Sequence, residues 1–572
     1  MADRQPSPTP VPTTSSPSPK SRGLRTLKRT VRKVTTRDGW LGDYHYAWLC
    51  TPTLPFSFSN TKTRPPPFYP LDAELPILLA MVCGFQHSLA MLAGLITPPI
   101  ILSSALSLDG QLLSYLISAS LIGCGILSSV QMSRIKLWGR FRLGTGLISV
   151  VGTSFATLST AFSIFNTLYA NGTCPTSISA SGVVTRLPCP DAYGMLLGTS
   201  LICAFIEIFL SFLPVKTLRN IFPPIVTGTV IVLIGGSLIG SSGIVNWGGG
   251  SSCMASVSTA AQTVACTGRK HLTWGSPKYI GLGFLSFSTI LLAEIFGSPF
   301  LKNASIVLGL VVGCIVAGAA GYIDGGSIRT SPAITFLWVH TFKIRVHPPS
   351  ILPMLAVYIS LAMEAIGDIT AAAEVSRVEV EGPDFDSRIQ GGVLSDGLGG
   401  FFSALFTVPP LSIFAQNNGV IAITRCANRG AGRWCCGFLV LFGILGKLSG
   451  VFLAIPNPVL GGVTTFLFAS VAVSGCVSSG ALSFGLGDIL VPGIFQHLFD
   501  KVRAGKSAGL LGFFDSITIV LSTPFLAAGV VAVILNLVLP SDESTDNDKE
   551  GVVEREPSPR DVENDVAAYA EK

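Results

Sequence analysis

The chain is predicted to be an all-α polytopic membrane protein of about fourteen membrane-spanning segments. Three observations carry this expectation. Charge is scarce: 12% of the 572 residues are Asp, Glu, Lys or Arg and 49% are hydrophobic, with mean hydropathy +0.59, whereas a soluble domain has about 25% charged residues. The charge also collects at the ends. Residues 1–40 hold nine Lys/Arg and residues 541–572 hold eleven Asp/Glu, which leaves 44 charged groups for the 500 residues between. Along that middle stretch, apolar runs of about 20 residues recur, the length that crosses a bilayer as a helix. A water-soluble multidomain enzyme and an intrinsically disordered chain are both excluded.

Residues 1–42 read as a disordered basic tail rich in Ser, Pro and Thr, with no apolar signal sequence behind the initiator Met. The basic run Arg22 to Arg37 fits a cytoplasmic tail near anionic lipid. A nucleic-acid partner is disfavoured by the modest net charge of +6 and the absence of interleaved aromatics. A pre-membrane segment covers 43–73. Candidate spans follow at 74–96, 111–132, 193–213, 222–242, 279–299, 303–323, 350–371, 389–407, 434–454, 459–478 and 514–538. Three shorter or broken segments lie at 143–163, 408–424 and 482–496. With the N-terminus in the cytoplasm, the basic groups Arg134–Arg142, Lys216, Arg219, Arg425, Arg429 and Arg433 fall inside. The outer loops 243–278 and 324–349 carry some basic residues too, so the rule holds in the short loops only. Loop 164–192 falls outside with the sequon Asn171-Gly172-Thr173. Residues 541–572 form an acidic tail, also disordered and cytoplasmic.

The thirteen cysteines include no CxxC pair. Cys83, Cys124, Cys203, Cys314 and Cys435 sit in apolar runs as small hydrophobes, and neither a metal nor another cofactor is expected. Cys174 with Cys189, and Cys253 with Cys266, lie in polar loops, where disulfides form if the loops face an oxidising compartment.

Two segments at membrane depth are wrong for plain helices. One runs from Gly144-Thr145-Gly146 to Gly152-Thr153-Ser154-Phe155, the other from Thr407-Val408-Pro409-Pro410 to Gln416-Asn417-Asn418-Gly419. Each is third in its half of the chain. Interruptions at matching places in two halves point to a transporter site between inverted repeats. Irregular backbone at that depth must be buried in protein or line a wet cavity.

Ionisable groups at depth are few: His87, Glu207, Glu364, Asp368, Asp396 and Lys447, with Glu294 and Asp488 nearer span ends. Glu364 and Asp368 are four residues apart and share a helix face. Intramembrane acids are functional by default, which singles out Glu364 and Asp396. His87, beside Gln86, fits a functional role and an interhelical hydrogen bond equally. Glu207, Glu294 and Lys447 read as packing or snorkelling residues.

The run Gln416-Asn417-Asn418-Gly419-Val420-Ile421-Ala422-Ile423-Thr424-Arg425 resembles the signature of the nucleobase–ascorbate transporter family: Gln, Glu or Pro; Asn; any residue; Gly; four of any kind; Thr; then Arg, Lys or Gly. Gln86-His87 resembles the family's Gln-His pair in its first span. Glu364 with Asp368 resembles its acidic span, and Asp396 the next. The likeness runs from about Asp43 to Pro540 and is strongest to the fungal uric acid–xanthine permeases, a branch that Phe155 and Phe414-Ala415 also fit. The resemblance implies a uracil-permease-like fold of two inverted seven-span repeats with two broken half-helices. Its core domain would comprise 74–213 and 350–454, its gate domain 214–349 and 455–540, and homodimers are usual. It implies a plasma-membrane symporter importing purines, uric acid and xanthine foremost, together with protons. Glu364, Gln416, Phe155 and Ala415 would hold the purine. Asp396, Asp368, His87, Gln86 and Asn417 would serve proton coupling and site architecture. Gly419, Thr424, Arg425, Phe414 and Phe525 would tune specificity and gating.

The chain departs from the family pattern after Phe466-Leu467. Val471 to Cys476 runs almost directly into Ser483 to Ile489, so 482–496 makes a short thirteenth span in the gate region. Two other readings stay open: the same fold carrying uracil, another purine or ascorbate, and a membrane receptor that binds without transporting.

Overall fold

The structure, a computed structural model, describes residues 33–42, 44, 46–52, 66–139, 141–170, 172–178, 184–214, 235–236, 238–250, 272–472 and 510. The candidate spans 482–496 and 514–538, most of 222–242, both tails, Asn171, Lys216, Arg219, Cys253, Cys266, Asp488 and Phe525 lie outside these residues.

Four helices among the described residues are long and apolar enough to cross a bilayer: α1 (Ile77–Ala105), α2 (Gly110–Gln131), α4 (Pro190–Leu210) and α5 (Pro277–Phe296). Between them α3 spans Phe155–Ala170. After α5 come α6 (Ser305–Ala319), α7 (Ile351–Val375), α8 (Pro383–Leu405) and α9 (Gln416–Thr424). Last are α10 (Arg429–Ile444), α11 (Gly446–Leu453) and α12 (Asn457–Ala472). Helix α10 continues into α11 through a 78° bend, and only together are the two long and apolar enough to cross a bilayer.

Local chemistry sets the helix starts. Asp109 caps α2, its carboxylate accepting from Leu112 N at 2.7 Å, and Asn428 caps α10 through Gly430 N at 2.8 Å; both occupy the donors a first turn leaves free. Helices α4, α5 and α8 open on Pro, which has no N–H to leave unpaired and a φ already suited to a helix. Helix α10 packs on α1 and α2, α8 on α4, and α7 on both α4 and α8. Helix α5 packs on α6 and α12, and α12 on a π-helical turn at Ile239–Ile244. Met91, Leu95, Tyr193, Phe287 and Tyr358 anchor the main core. A smaller core, with Tyr44, Leu79, Cys83, Ile421 and Cys426, joins the pre-membrane segment to α1 and the end of α9.

The all-α expectation needs one amendment: three two-stranded ribbons occur among the described residues. Two are local hairpins, Ile135–Lys136 with Arg142–Leu143 and Thr176–Ile178 with Val184–Arg186. In the third, β1 (Val151–Thr153) pairs antiparallel with β2 (Leu411–Ile413). Backbone groups freed from a helix at this depth still need partners, and the two interrupted segments supply them to each other. The polar loop between α3 and α4 is closed by a Cys174–Cys189 disulfide.

Candidate functional site

The site is built around that third ribbon. Val151 pairs with Ile413, Gly152 with Ser412 and Thr153 with Leu411. Phe414 N donates to Val150 O and Ser154 N to Pro410 O, each at 3.0 Å. Pro409-Pro410 cannot continue a helix into β2. Gly152 permits close approach, since a Cβ there would stand 2.6 Å from Phe414 Cζ. Helices α3 and α9 then leave the ribbon from opposite ends.

Aromatic rings stand at this junction. Phe155, the first residue of α3, stacks on Phe414 with centroids 5.5 Å apart and planes 16° apart. Phe468 of α12 meets Phe155 edge-on at 5.2 Å. Phe468 was not singled out from the sequence, where it is one aromatic among several in an apolar run.

Helix α1 brings two polar residues to the start of α9. His87 Nδ1 lies 3.2 Å from Asn417 Oδ1, and Asn417 Nδ2 donates to Phe414 O at 3.3 Å. Asn417 Oδ1 is therefore the acceptor, Nδ1 carries the imidazole proton, and Nε2 remains an acceptor. Gln86 Oε1 accepts from Asn303 Nδ2 at 2.7 Å. Gln86 Nε2 and His87 Nε2 are buried without a hydrogen-bond partner among the described residues. Asn303 ends a short helix between α5 and α6, and nothing in its local sequence announces this contact.

The acidic span lies against α9. Helices α7 and α9 pack together, and Asn418 Nδ2 donates to Asp368 O at 3.4 Å. Glu364 and Asp368 are nevertheless only half-buried and Gly367 is exposed, while across from them Gln416 is half-buried and Ala415 and Gly419 are exposed. Glu364 and Gln416 thus both keep accessible surface, and no hydrogen bond joins them. Asp396 on α8 is buried, with Glu207 of α4 beside it and the carboxyls of Glu364 and Asp368 on α7 nearby. Glu207 does not snorkel: it is fully buried. Glu294 accepts from Ser305 Oγ, and Lys447 reaches the carbonyls of Ile328 and Arg329.

Thr424 and Arg425 sit at the far end of α9. The Thr424 hydroxyl donates to Val420 O at 2.7 Å. Arg425 closes the helix with φ +56°, its N–H bonded to Ile421 O. Its carbonyl accepts from Tyr69 N at 2.9 Å, and Tyr69 O accepts from Ala427 N at 3.0 Å. Arg429 pairs with Asp72 of the same pre-membrane segment, whose residues 66–76 form a strap across this end of α9. On that side of the molecule Arg134 grips Asp384 at the start of α8 and holds its carboxyl below the usual carboxylate range. Among the described residues no three His, Cys, Asp or Glu side chains are placed to hold a metal ion.

The sequence matches known proteins along most of its length. A purine permease of Emericella nidulans is 47% identical over 538 residues, 91% of each chain. A uric acid-xanthine permease of the same organism is 46% identical over 540 residues, 92% of each chain. The xanthine permease XanQ of Escherichia coli is 30% identical over 502 residues, 85% of this chain and 97% of its own. Among solved structures, the transmembrane domain of the cyanobacterial bicarbonate transporter BicA aligns with 79% of this chain and 96% of its own at 12% identity and a TM-score of 0.44. SLC26A9 aligns with 93% of this chain and 72% of its own at 13% identity and a TM-score of 0.45. The family model described as Permease family (Xan_ur_permease) covers residues 79–481, and with these relatives it shows that the chain belongs to that family, the nucleobase–ascorbate transporters.

Proposed function

We propose that this permease is a proton-coupled symporter of the plasma membrane that imports purines, uric acid and xanthine above others, by alternating access. The observation that carries the reading is the accessible surface kept by Glu364 and Gln416 on two packed helices beside the ribbon. Polar groups at membrane depth are stable there if they face a wet cavity. Xanthine and urate are flat rings edged with N–H donors and C=O acceptors. The Gln416 amide offers one partner of each kind. The Glu364 carboxylate accepts ring N–H bonds strongly, and Phe155 offers an aromatic face. Such a site rejects analogues that lack the matching groups, because its own would be left unpaired. The relatives named as purine and uric acid-xanthine permeases support this cargo over uracil or ascorbate.

Asp396 takes the proton in this reading, and one charge crossing gains about 2.3 kcal/mol per 100 mV of membrane potential. Residues 74–213 and 350–454 would rock as a core against a gate of 214–349 and 455–540, in a homodimer built from inverted repeats. The inside bias of short-loop Lys/Arg supports cytoplasmic termini. The Cys174–Cys189 bridge supports an outward-facing loop between α3 and α4.

Labelled uptake in cells lacking purine permeases tests the reading. The expected result is saturable xanthine and urate uptake that uracil and ascorbate fail to displace. Protein at the cell surface without such uptake would refute it. Asp396→Asn is expected to leave uptake independent of external pH, and an unchanged pH profile would remove Asp396 from the coupling step.

A further inference from the structure

Helices α4 and α8 pack closely, and at their contact two carboxyls face each other. Glu207 is 0% exposed and Asp396 is 1% exposed. A Cβ on Gly397 would stand 3.2 Å from Glu207 Cγ, which shows how near the two helices run. All four carboxyl oxygens are buried and none makes a hydrogen bond of ordinary geometry among the described residues, although the two carboxyls stand within reach of each other and the Ser412 hydroxyl and Ile413 N–H of β2 within reach of Asp396. From α7 the carboxyls of Glu364 and Asp368 and the phenol of Tyr358 face the pair. The Tyr358 hydroxyl is held by Ser200 Oγ at 2.8 Å, and Cys203 lies beside it. Among the described residues neither carboxyl has a Lys, Arg or His in an ion pair.

We propose that Glu207 and Asp396 hold one transported proton between them. Two ionised carboxylates offer only acceptors to each other, so as a doubly charged pair they repel and cannot bond each other. One proton changes both facts. It makes one carboxyl a donor to its neighbour and cuts the charge of the pair from −2 to −1, the arrangement that two carboxyls sharing a site adopt. The balance is simple: a proton binds from one side of the membrane and leaves to the other, with no other bond made or broken. Ser412 stands opposite Gly152 in the ribbon and two residues before Phe414, which gives the state of the pair a short route to the cargo face. The proposal rests on the coupling role given to Asp396 above and adds Glu207, expected from the sequence to be a packing or snorkelling residue, as its partner.

The decisive measurement needs no cargo. The full chain in lipid nanodiscs is titrated with pH while infrared difference spectra follow the carboxylic C=O stretch. One carboxyl band is expected to titrate, with a midpoint that moves by about one pH unit or more in both Glu207→Gln and Asp396→Asn, since each removes a like charge from its neighbour. Glu207→Asp, which keeps the pair, should retain the band, and Glu294→Gln should leave the midpoint in place. Replacing Na+ by choline should change nothing. A midpoint indifferent to either pair substitution, an equal shift in Glu294→Gln, or a band that needs Na+ would overturn the proposal. Should Glu207→Gln fail to reach the bilayer, Asp396→Asn reads the same band and decides alone. In uptake assays Glu207→Gln should flatten the pH profile while KM moves by less than about threefold; a native profile counts against it. If no purine is carried, the infrared result stands by itself, so the two readings fail separately.

Discussion

Segments 143–163 and 408–424 both pass from an extended strand into a helix, yet Phe155 at the head of α3 is buried while Ala415 and Gln416 at the head of α9 keep accessible surface. The anchoring differs as well. The first segment is tied by backbone to its neighbours: Gly144 N bonds Gly391 O at 2.9 Å, and Thr145 N bonds Gln131 O at 2.8 Å. Beyond the ribbon that both share, the second is held by side chains, His87 on Asn417 and Asn418 on Asp368, and by backbone bonds from residues 69–71 at its end. Two segments with the same local shape thus differ in exposure. One begins its helix buried, and the other presents amide groups at an accessible edge.

The largest effect that separates them should come from glycine. Gly144 has φ +85°, and a Cβ there would lie 2.2 Å from Ser133 O, whereas a Cβ on Gly419 meets nothing within 4 Å. Gly144→Ala is expected to cost about 3 kcal/mol or more and to abolish folded protein at the membrane, while Gly419→Ala folds normally. Surface yield and thermal unfolding in detergent check this, and equal tolerance at both positions would erase the distinction. Next in size, Gln416→Ala is expected to weaken purine binding about ten- to hundredfold with surface level unchanged. Native affinity would take the open edge out of recognition. The smallest effect belongs to the joint between α1 and α9. A double-mutant cycle on His87→Ala and Asn417→Ala should return a coupling near 0.6 kcal/mol in unfolding free energy, the usual worth of an interhelical hydrogen bond in a membrane. A value near zero would mean that the strap alone positions α9.

Much of this organisation was legible in the sequence. Pro409-Pro410 and the glycines from Gly144 to Gly152 announce that no plain helix crosses there, and the spacing of Glu364 and Asp368 fixes their common face. The pairing of β1 with β2 was not legible. Three residues show no useful alternation, and their partners are about 260 positions away in the chain. The contact between Glu207 and Asp396 was hidden for a related reason. Each acid sits in its own apolar run, and the axial offset of α4 against α8 depends on packing that no local pattern encodes. Asn303 carries no sequence signal of its own, standing at the first position of the candidate span 303–323, yet it is buried against Gln86.

Arg425 gives the last letter of the signature a torsional meaning. Its backbone lies in the left-handed region, with φ +56° and ψ +31°, a conformation that costs an ordinary residue roughly 1–2 kcal/mol and glycine almost nothing. The family spells this position Arg, Lys or Gly. Arg and Lys share a positive charge, and Gly shares only the ease of turning. A glycine would turn there at little cost, and this chain instead keeps the cation and bears the twist.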